Sequence, residues 1–295
     1  MARLFITGVS GFVGRAIAEC ALALGYEVSG VDREGSRIHG VNVHKADIRD
    51  KEKMRRLTKG VDYIVHVAAI TSNIEFERNL SLCYEVNVNG FNSIIGAAHA
   101  NGCKRFVYAS SSAVYKDKFS ENAPLDIHGT KNHYAKTKMI NEMTGQSYNE
   151  LGLMETVGTR FFNVYGPGEN KKGNYASIIS LYINMALQKK SITIYGDGKQ
   201  SRDLIYVRDV AEITLRLLKS GDTGIYNVGT GKATSYNDIA DMVSGCEKIH
   251  VKNPLSTYQL LTKADTRKLL GAIGKFKFKN INEGITDMVR AAGLE

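Results

Sequence analysis

The sequence predicts an α/β protein: a parallel sheet with helices on both faces, followed by a smaller C-terminal lobe. Three observations predict it. A short apolar run, Leu4-Phe5-Ile6, meets Gly8, Gly11 and Gly14 at three-residue steps and then an amphipathic segment. That strand, glycine turn and helix is the unit that seats a pyrophosphate on a helix N-terminus. Short apolar runs then alternate with amphipathic stretches, as parallel strands covered on both faces require. Near residue 165 this rhythm breaks at Gly166-Pro167-Gly168. The arrangement is Rossmann-like, with residues 1–165 forming the sheet domain, later segments returning to it, and 166–295 mainly a substrate lobe.

The bulk properties bound the function. A chain of 295 residues with 43% apolar and 23% charged residues is ordinary for a globular protein. No run approaches the length of a membrane span, and MARLF leads directly into a strand, so a cytoplasmic protein is expected. Cys20, Cys83, Cys103 and Cys246 are scattered without metal-ligand spacing. They read as reduced thiols, and no metal is expected. The net charge of +9 favours polyanions, but the basic clusters at 51–56 and 275–279 are short and alternate with apolar positions. That pattern excludes nucleic acid and suits a small phosphorylated substrate.

Taken in order, residues 12–24 carry apolar side chains at three- and four-residue steps and form the first helix, opened by Phe12 and Val13. A second strand, 26–31, ends in Asp32. An acid there accepts hydrogen bonds from the adenosine ribose hydroxyls and repels a 2′-phosphate, which selects NAD over NADP. Arg33 beside it tempers that choice. Strand 41–45 leads to Asp47 and Ile48, then helix 51–58 and strand 63–67, which ends in Ala68 and Ala69. Residues that small let a cofactor backbone lie close. A long helix is expected over 79–101, interrupted by Gly90 and Gly96, before strand 105–109.

The second informative stretch is Tyr108-Ala-Ser-Ser-Ser-Ala-Val-Tyr115. Its serines fall at the C-terminal end of a central strand, where open α/β sheets bind ligands. Tyr134 and Lys138 follow at i,i+4, on one face of a helix. An ammonium beside a tyrosine, with the positive ring of an oxidised nicotinamide, favours phenolate and makes a proton acceptor near neutral pH. Strand 154–159 then runs into Arg160-Phe-Phe-Asn-Val-Tyr-Gly-Pro167 and a basic loop, 169–174, with Lys171 and Lys172. Further helices are expected at 175–189, 209–218, 235–243, 264–270 and 281–291, and strands at 192–195, 203–207 and 225–228.

With these motifs in place, the chain resembles the extended short-chain dehydrogenase/reductase family, in its nucleotide-sugar epimerase and dehydratase branch. The likeness runs from TGVSGFVG through YASSSAVY, YAKTK, RFFNVYGPGE, QSRDLIYVRDVA and YNVGTG to KADTRKLLG. The resemblance implies NAD, with Gly8, Gly11 and Gly14 at the pyrophosphate, Asp32 at the ribose, Asp47 and Ile48 flanking adenine, and Ala68 and Ala69 beneath the cofactor. Asn87 matches a structural or cofactor-side asparagine. Ser111 matches the serine that binds the sugar oxygen, ahead of its neighbours Ser110 and Ser112. Tyr134 matches the base and acid, and Lys138 the residue on the nicotinamide ribose. Asn163 and Arg202 match groups on the nucleotide-sugar phosphates, an ion pair with Asp203 being the alternative for Arg202. His128 and Asn132 fall either on the sugar side or in a surface loop.

The departures narrow the chemistry. Ser112 and Ala113 stand where dehydratases of the branch carry an Asp-Glu pair, so the acid that expels water is missing. Simple hydride chemistry of the UDP-glucose 4-epimerase kind is expected instead. Lys116 replaces a usual glycine, and the loop after Gly166 is also similar to that of heptose 6-epimerases acting on an ADP-linked sugar. A 4-ketosugar reductase and a non-catalytic nucleotide-binding protein are the remaining alternatives. The resemblance also implies a homodimer, its helices near 82–101 and 133–150 pairing in a four-helix bundle.

Overall fold

Alternating strands and helices come first along the chain. They are β1 (Arg3–Thr7), α1 (Phe12–Ala23), β2 (Glu27–Asp32), β3 (Asn42–Lys45), α2 (Lys51–Leu57) and β4 (Tyr63–His66). Next come α3 (Asn73–Arg78), α4 (Leu80–Tyr84), a π-turn (Glu85–Asn89), α5 (Gly90–Ala100), β5 (Arg105–Ser111), α6 (His133–Glu150) and β6 (Glu155–Phe161). The remainder is β7 (Asn163–Tyr165), α7 (Ile178–Leu187), β8 (Ile192–Tyr195), β9 (Ser201–Tyr206), α8 (Val207–Leu217) and β10 (Gly224–Val228). The chain closes with β11 (Ala233–Ser235), α9 (Tyr236–Val243), β12 (Lys248–Val251), α10 (Arg267–Ile273) and α11 (Ile281–Ala291). This computed structural model describes residues 1–116, 118–169, 176–243, 246–253 and 259–293. Lys171, Lys172 and the first residue of the helix expected over 175–189 lie outside them.

Seven parallel strands make the main sheet, in the order β10-β6-β5-β4-β1-β2-β3. Period-two alternation explains why both faces are apolar. On β1, Leu4 and Ile6 enter one core with Ile17, Ala21, Val210 and Ile213, while Phe5 enters the other with Met54, Phe91 and Ile94. The first core lies under α1 and α8, the second under α2 and α5. Segments beyond residue 165 thus complete the sheet domain: β10 forms its edge beside β6, and α8 packs against α1. The smaller lobe contains the β11-β9-β7 and β12-β8 sheets, packed with α7, α9 and α11.

Several elements differ from the sequence expectation. The single helix expected over 79–101 is broken by the π-turn, which carries Asn87 to an almost fully buried position. β7, β11 and β12 were not legible, because two have three residues and β12 is a largely exposed edge of mixed polarity. The helix expected from residue 264 starts at Arg267, since the Ala264 N–H is drawn to Asp203 Oδ2 at 3.0 Å.

Asp203 is fully buried and does not pair with Arg202 as one reading of the sequence allowed. Its carboxylate accepts from Thr230 N at 2.8 Å, Thr230 Oγ1 at 2.7 Å and Gly231 N at 2.9 Å besides Ala264. One side chain on β9 therefore clasps the loop after β10 and the approach to α10. Asp203→Ala leaves these donors buried and unpaired, and is expected to cost about 3 kcal/mol or more in urea unfolding. A loss below about 0.5 kcal/mol would contradict the clasp.

Candidate active site

The glycine turn is shaped by contact. Gly8 has φ 69° and donates to Val31 O at 2.8 Å. A Cβ on Gly8 would lie 2.9 Å from the backbone of Ala68, and one on Gly14 would lie 2.1 Å from Gly8 O. Gly11 is the N-cap of α1, with no side chain capping the helix, and its amide closes the turn on Gly8 O at 3.0 Å. The positive end of α1, at Phe12 and Val13, is thus placed against the turn where an anion would sit. Asp32 stands at the end of β2, its oxygens accepting from Ser10 N and Glu34 N, each at 3.1 Å. This fixes an acceptor beside the turn. The turn, the uncapped helix and the acid fit a dinucleotide.

Other expected cofactor residues are arranged less simply. Asp47 is gripped by Arg49, with contacts of 2.7 to 3.0 Å, and these hydrogen bonds hold its carboxyl below its usual range. Arg49 also reaches Glu85 at 3.0 Å. Ile48 is buried against Gly90, and Ala68 and Ala69 are half-buried behind the turn. Arg33 is exposed. Asn87 spends its side chain inside the protein: Oδ1 accepts from Ile70 N at 2.8 Å, and Nδ2 donates to Ile70 O and Thr137 Oγ1. It ties the cofactor-side loop after β4 to α6 instead of facing a ligand.

The three serines separate by strand alternation. Ser110 points inward, donating to Glu142 Oε1 at 2.5 Å. Ser111 Oγ accepts from Ala113 N at 3.1 Å and lies close enough to the Tyr134 phenol to act on its ionisation, and Ser112 opens a single 3₁₀ turn. α6 places Tyr134 and Lys138 together because Asn132 caps it, accepting from Ala135 N at 3.0 Å. The Tyr134 ring packs edge-on against Phe76, centroids 6.3 Å apart. Lys138 is 2% exposed, donates to Ala109 O at 2.8 Å, and holds its Nζ 5.6 Å from the Tyr134 ring centroid.

In the chain alone, burial pushes the Tyr134 phenol up to about 12, with Ser111 opposing. Burial likewise pushes the Lys138 amine down to about 8, Glu142 opposing. Nearby His66, whose Nδ1 meets Thr7 Oγ1 at 2.8 Å, is forced to about 3 by burial and then by Lys138, so it is neutral.

On the substrate side, Asn163 is also committed internally. Its Nδ2 donates to Asp203 O at 3.0 Å and Thr262 Oγ1 at 3.1 Å, leaving no N–H for a phosphate. Arg202 donates to Ser201 O at 3.0 Å, with its guanidinium 5.4 Å from the Tyr236 ring centroid. His128 and Lys116 are exposed, and Asn132 is a helix cap.

Sequence reasoning missed a buried polar chain behind the serines. Arg160 clamps Glu142 through Nε at 2.9 Å and Nη2 at 2.7 Å, and donates to Tyr115 OH at 2.7 Å. Tyr115 donates to Asn227 Oδ1 at 2.6 Å, and Asn227 Nδ2 reaches Phe119 O at 2.9 Å. The available signal was spacing: Glu142 falls two four-residue steps beyond Tyr134.

A turn and helix N-terminus suited to a dinucleotide at one strand end and a Ser-Tyr-Lys group at another share the C-terminal edge of a Rossmann-like sheet. Residues 4–229 match the NAD dependent epimerase/dehydratase family, and the chain belongs to it. NAD is the cofactor of that family. The chain is 34% identical to the UDP-N-acetyl-alpha-D-glucosaminuronate decarboxylase of Bacillus cytotoxicus over 254 residues, covering 81% of this chain and 78% of that one. It is 32% identical to a putative UDP-glucose 4-epimerase of Methanocaldococcus jannaschii, covering 81% of both. The UDP-glucose 4-epimerase of Thermus thermophilus, solved with NAD, superposes with a TM-score of 0.83 at 28% identity, covering 98% of both chains. Among the described residues no helix is long and apolar enough to cross a membrane.

Proposed function

We propose that the chain is an NAD-dependent nucleotide-sugar 4-epimerase acting on a substrate of the UDP-glucose/UDP-galactose kind. The observation that carries this reading is the grouping of Ser111, Tyr134 and Lys138 at the C-terminal end of β5, with Ser112 and Ala113 supplying no carboxylate for dehydration. When bound, NAD supplies a hydride acceptor that can return the hydride to either face of the sugar. Tyr134 takes the C4 hydroxyl proton and later gives one back, while Ser111 holds the sugar oxygen. Lys138 supplies the positive charge that favours ionised Tyr134 and orients the nicotinamide ribose. Arg202 binds the substrate diphosphate, so binding energy resides in the nucleotide and leaves the sugar free to turn. Asn163 braces β7 to β9 near that pocket.

A second reading has support from the decarboxylase relative. Oxidising C4 of a sugar that bears a C5 carboxylate creates a β-keto acid, which loses CO₂ without a further acid on the protein. Incubation with UDP-, ADP-, GDP- and dTDP-sugars, without added cofactor, separates the readings. A 4-epimer of UDP-glucose is expected; CO₂ from a UDP-hexuronate with no epimer of any neutral sugar would replace this reading by the decarboxylase. A C6 epimer of an ADP-heptose, or turnover only with added NADPH, would replace it by the 6-epimerase or the reductase.

The same preparation is expected to sediment as a homodimer joined through α5, α6 and their mates in a four-helix bundle. Met143 on α6 and Leu80 on α4 are 63% and 43% exposed, consistent with an apolar meeting face. Four free thiols fit a reducing, cytoplasmic setting.

A further inference from the structure

We propose that Glu142 is a positioning residue for Lys138: a buried carboxylate, held by Ser110 and Arg160, that keeps the lysine charged and aimed at Tyr134. Its catalytic meaning rests on the function proposed above, but its electrostatic content does not. Tyr134, Lys138 and Glu142 follow at four-residue steps, which sets them in one row along α6. The row meets successive rungs of β5, Lys138 on Ala109 O and Glu142 on Ser110 Oγ. Lys138 is 2% exposed and Glu142 4%, so neither charge is relieved by water.

The arrangement of Glu142 decides what kind of help it gives. A free carboxylate one turn away would capture the ammonium as an ion pair and draw it from the tyrosine. Here Oε1 accepts from Ser110 and Arg160 Nε, and Oε2 accepts from Arg160 Nη2. With these lone pairs taken, Glu142 acts on Lys138 through space, leaving the amine with Ala109 O and the Tyr134 ring face. Low local dielectric makes such a field strong.

The other groups around Lys138 do not substitute for it. His66 on β4 is neutral, and Tyr108 on β5 is held as a phenol by burial. Arg160 on β6 carries the same sign as the lysine. Farther along the packed elements, Arg105 pairs with Glu155, Glu85 with Arg49, and Glu75 with Arg78, while Glu77 is exposed. Glu142 is thus the buried anion nearest this cation along the row.

The test is a titration of Lys138 by NMR, using protein labelled with ¹³C at the lysine Cε. The Lys138 signal is assigned by its disappearance in Lys138→Met. The parent midpoint is expected near about 8. Glu142→Gln should lower it by about one pH unit, a tenfold loss of proton affinity. Glu142→Asp, which keeps the charge, should restore most of it. Because Glu142→Gln leaves Arg160 buried and unpaired, Glu142→Gln/Arg160→Met is titrated alongside, and its midpoint should also fall. A midpoint unchanged from the parent in the folded variants, with only reduced thermal stability, would overturn the proposal and leave Glu142 as packing. The basic limb of the epimerisation pH profile should move with the midpoint. Absent epimerisation with a shifted midpoint would overturn the assigned function while sustaining the role of Glu142.

Discussion

Tyr134→Phe is expected to lower epimerisation by about 10³-fold while NAD binding persists, the range found when a positioned general acid–base group is removed. The reasoning is local. Ser111 acts on the ionisation of the same phenol that Lys138 overlooks, so the hydroxyl is where a proton would be exchanged with a sugar bound at the end of β5. The Phe76 contact is to the ring and survives the substitution, which keeps the side chain in place. In the chain alone burial pushes the phenol up to about 12. The positive ring of oxidised NAD adds to the Lys138 charge and favours the phenolate, so the tyrosinate difference spectrum between parent and Tyr134→Phe should appear at lower pH when NAD is present. A variant with turnover within threefold of the parent would remove Tyr134 from the reaction.

What the sequence disclosed here was local chemistry. Gly8 to Gly14, Asp32 and the Tyr134–Lys138 pair are governed by residues within a strand, a turn or one helical step, so spacing was enough to read them. The parallel sheet was legible for the same reason, since buried strands are continuous apolar runs. The ionisation of Tyr134 was not legible, because it depends on burial by elements distant in sequence. The expected phenolate draws on Lys138 and the oxidised nicotinamide ring together, whereas in the chain alone desolvation sets the phenol.

The roles of polar residues were hidden by long-range partners. Asn87 and Asn163 each look like ligand-binding amides in isolation, yet their N–H groups are consumed by Ile70 and Thr137 in one case and by Asp203 and Thr262 in the other. Ser110, Ser111 and Ser112 could not be distinguished by composition. Alternation on β5 separates them, sending Ser110 to Glu142 and Ser111 to the side that faces the Tyr134 phenol. The missed strand β11 reflects the same limit: three residues of Ala-Thr-Ser pair with β9 only because the folded lobe presents an edge to them.

The largest structural effect is expected from Gly14→Ala, a change of one methyl group. Gly14 sits in the first turn of α1 without an unusual backbone angle, so the methyl costs nothing conformationally and its effect is purely steric. The new Cβ would lie 2.1 Å from Gly8 O and 2.8 Å from Gly8 C. Those are backbone atoms of the turn, which cannot rotate away as a flexible side chain would. Either α1 lifts from β1 or the turn opens, and both move the helix N-terminus from the anion it would hold. NAD affinity, measured by calorimetry, is expected to fall at least about 100-fold, equivalent to about 2.7 kcal/mol. Gly96→Ala provides the contrast, since that residue lies within α5 and a Cβ there meets nothing within 4 Å. It should stabilise the protein by about 0.5–1 kcal/mol through helix propensity and leave NAD affinity unchanged. Equal NAD affinities in the two variants would show that close approach at Gly14 is not what forms the cradle.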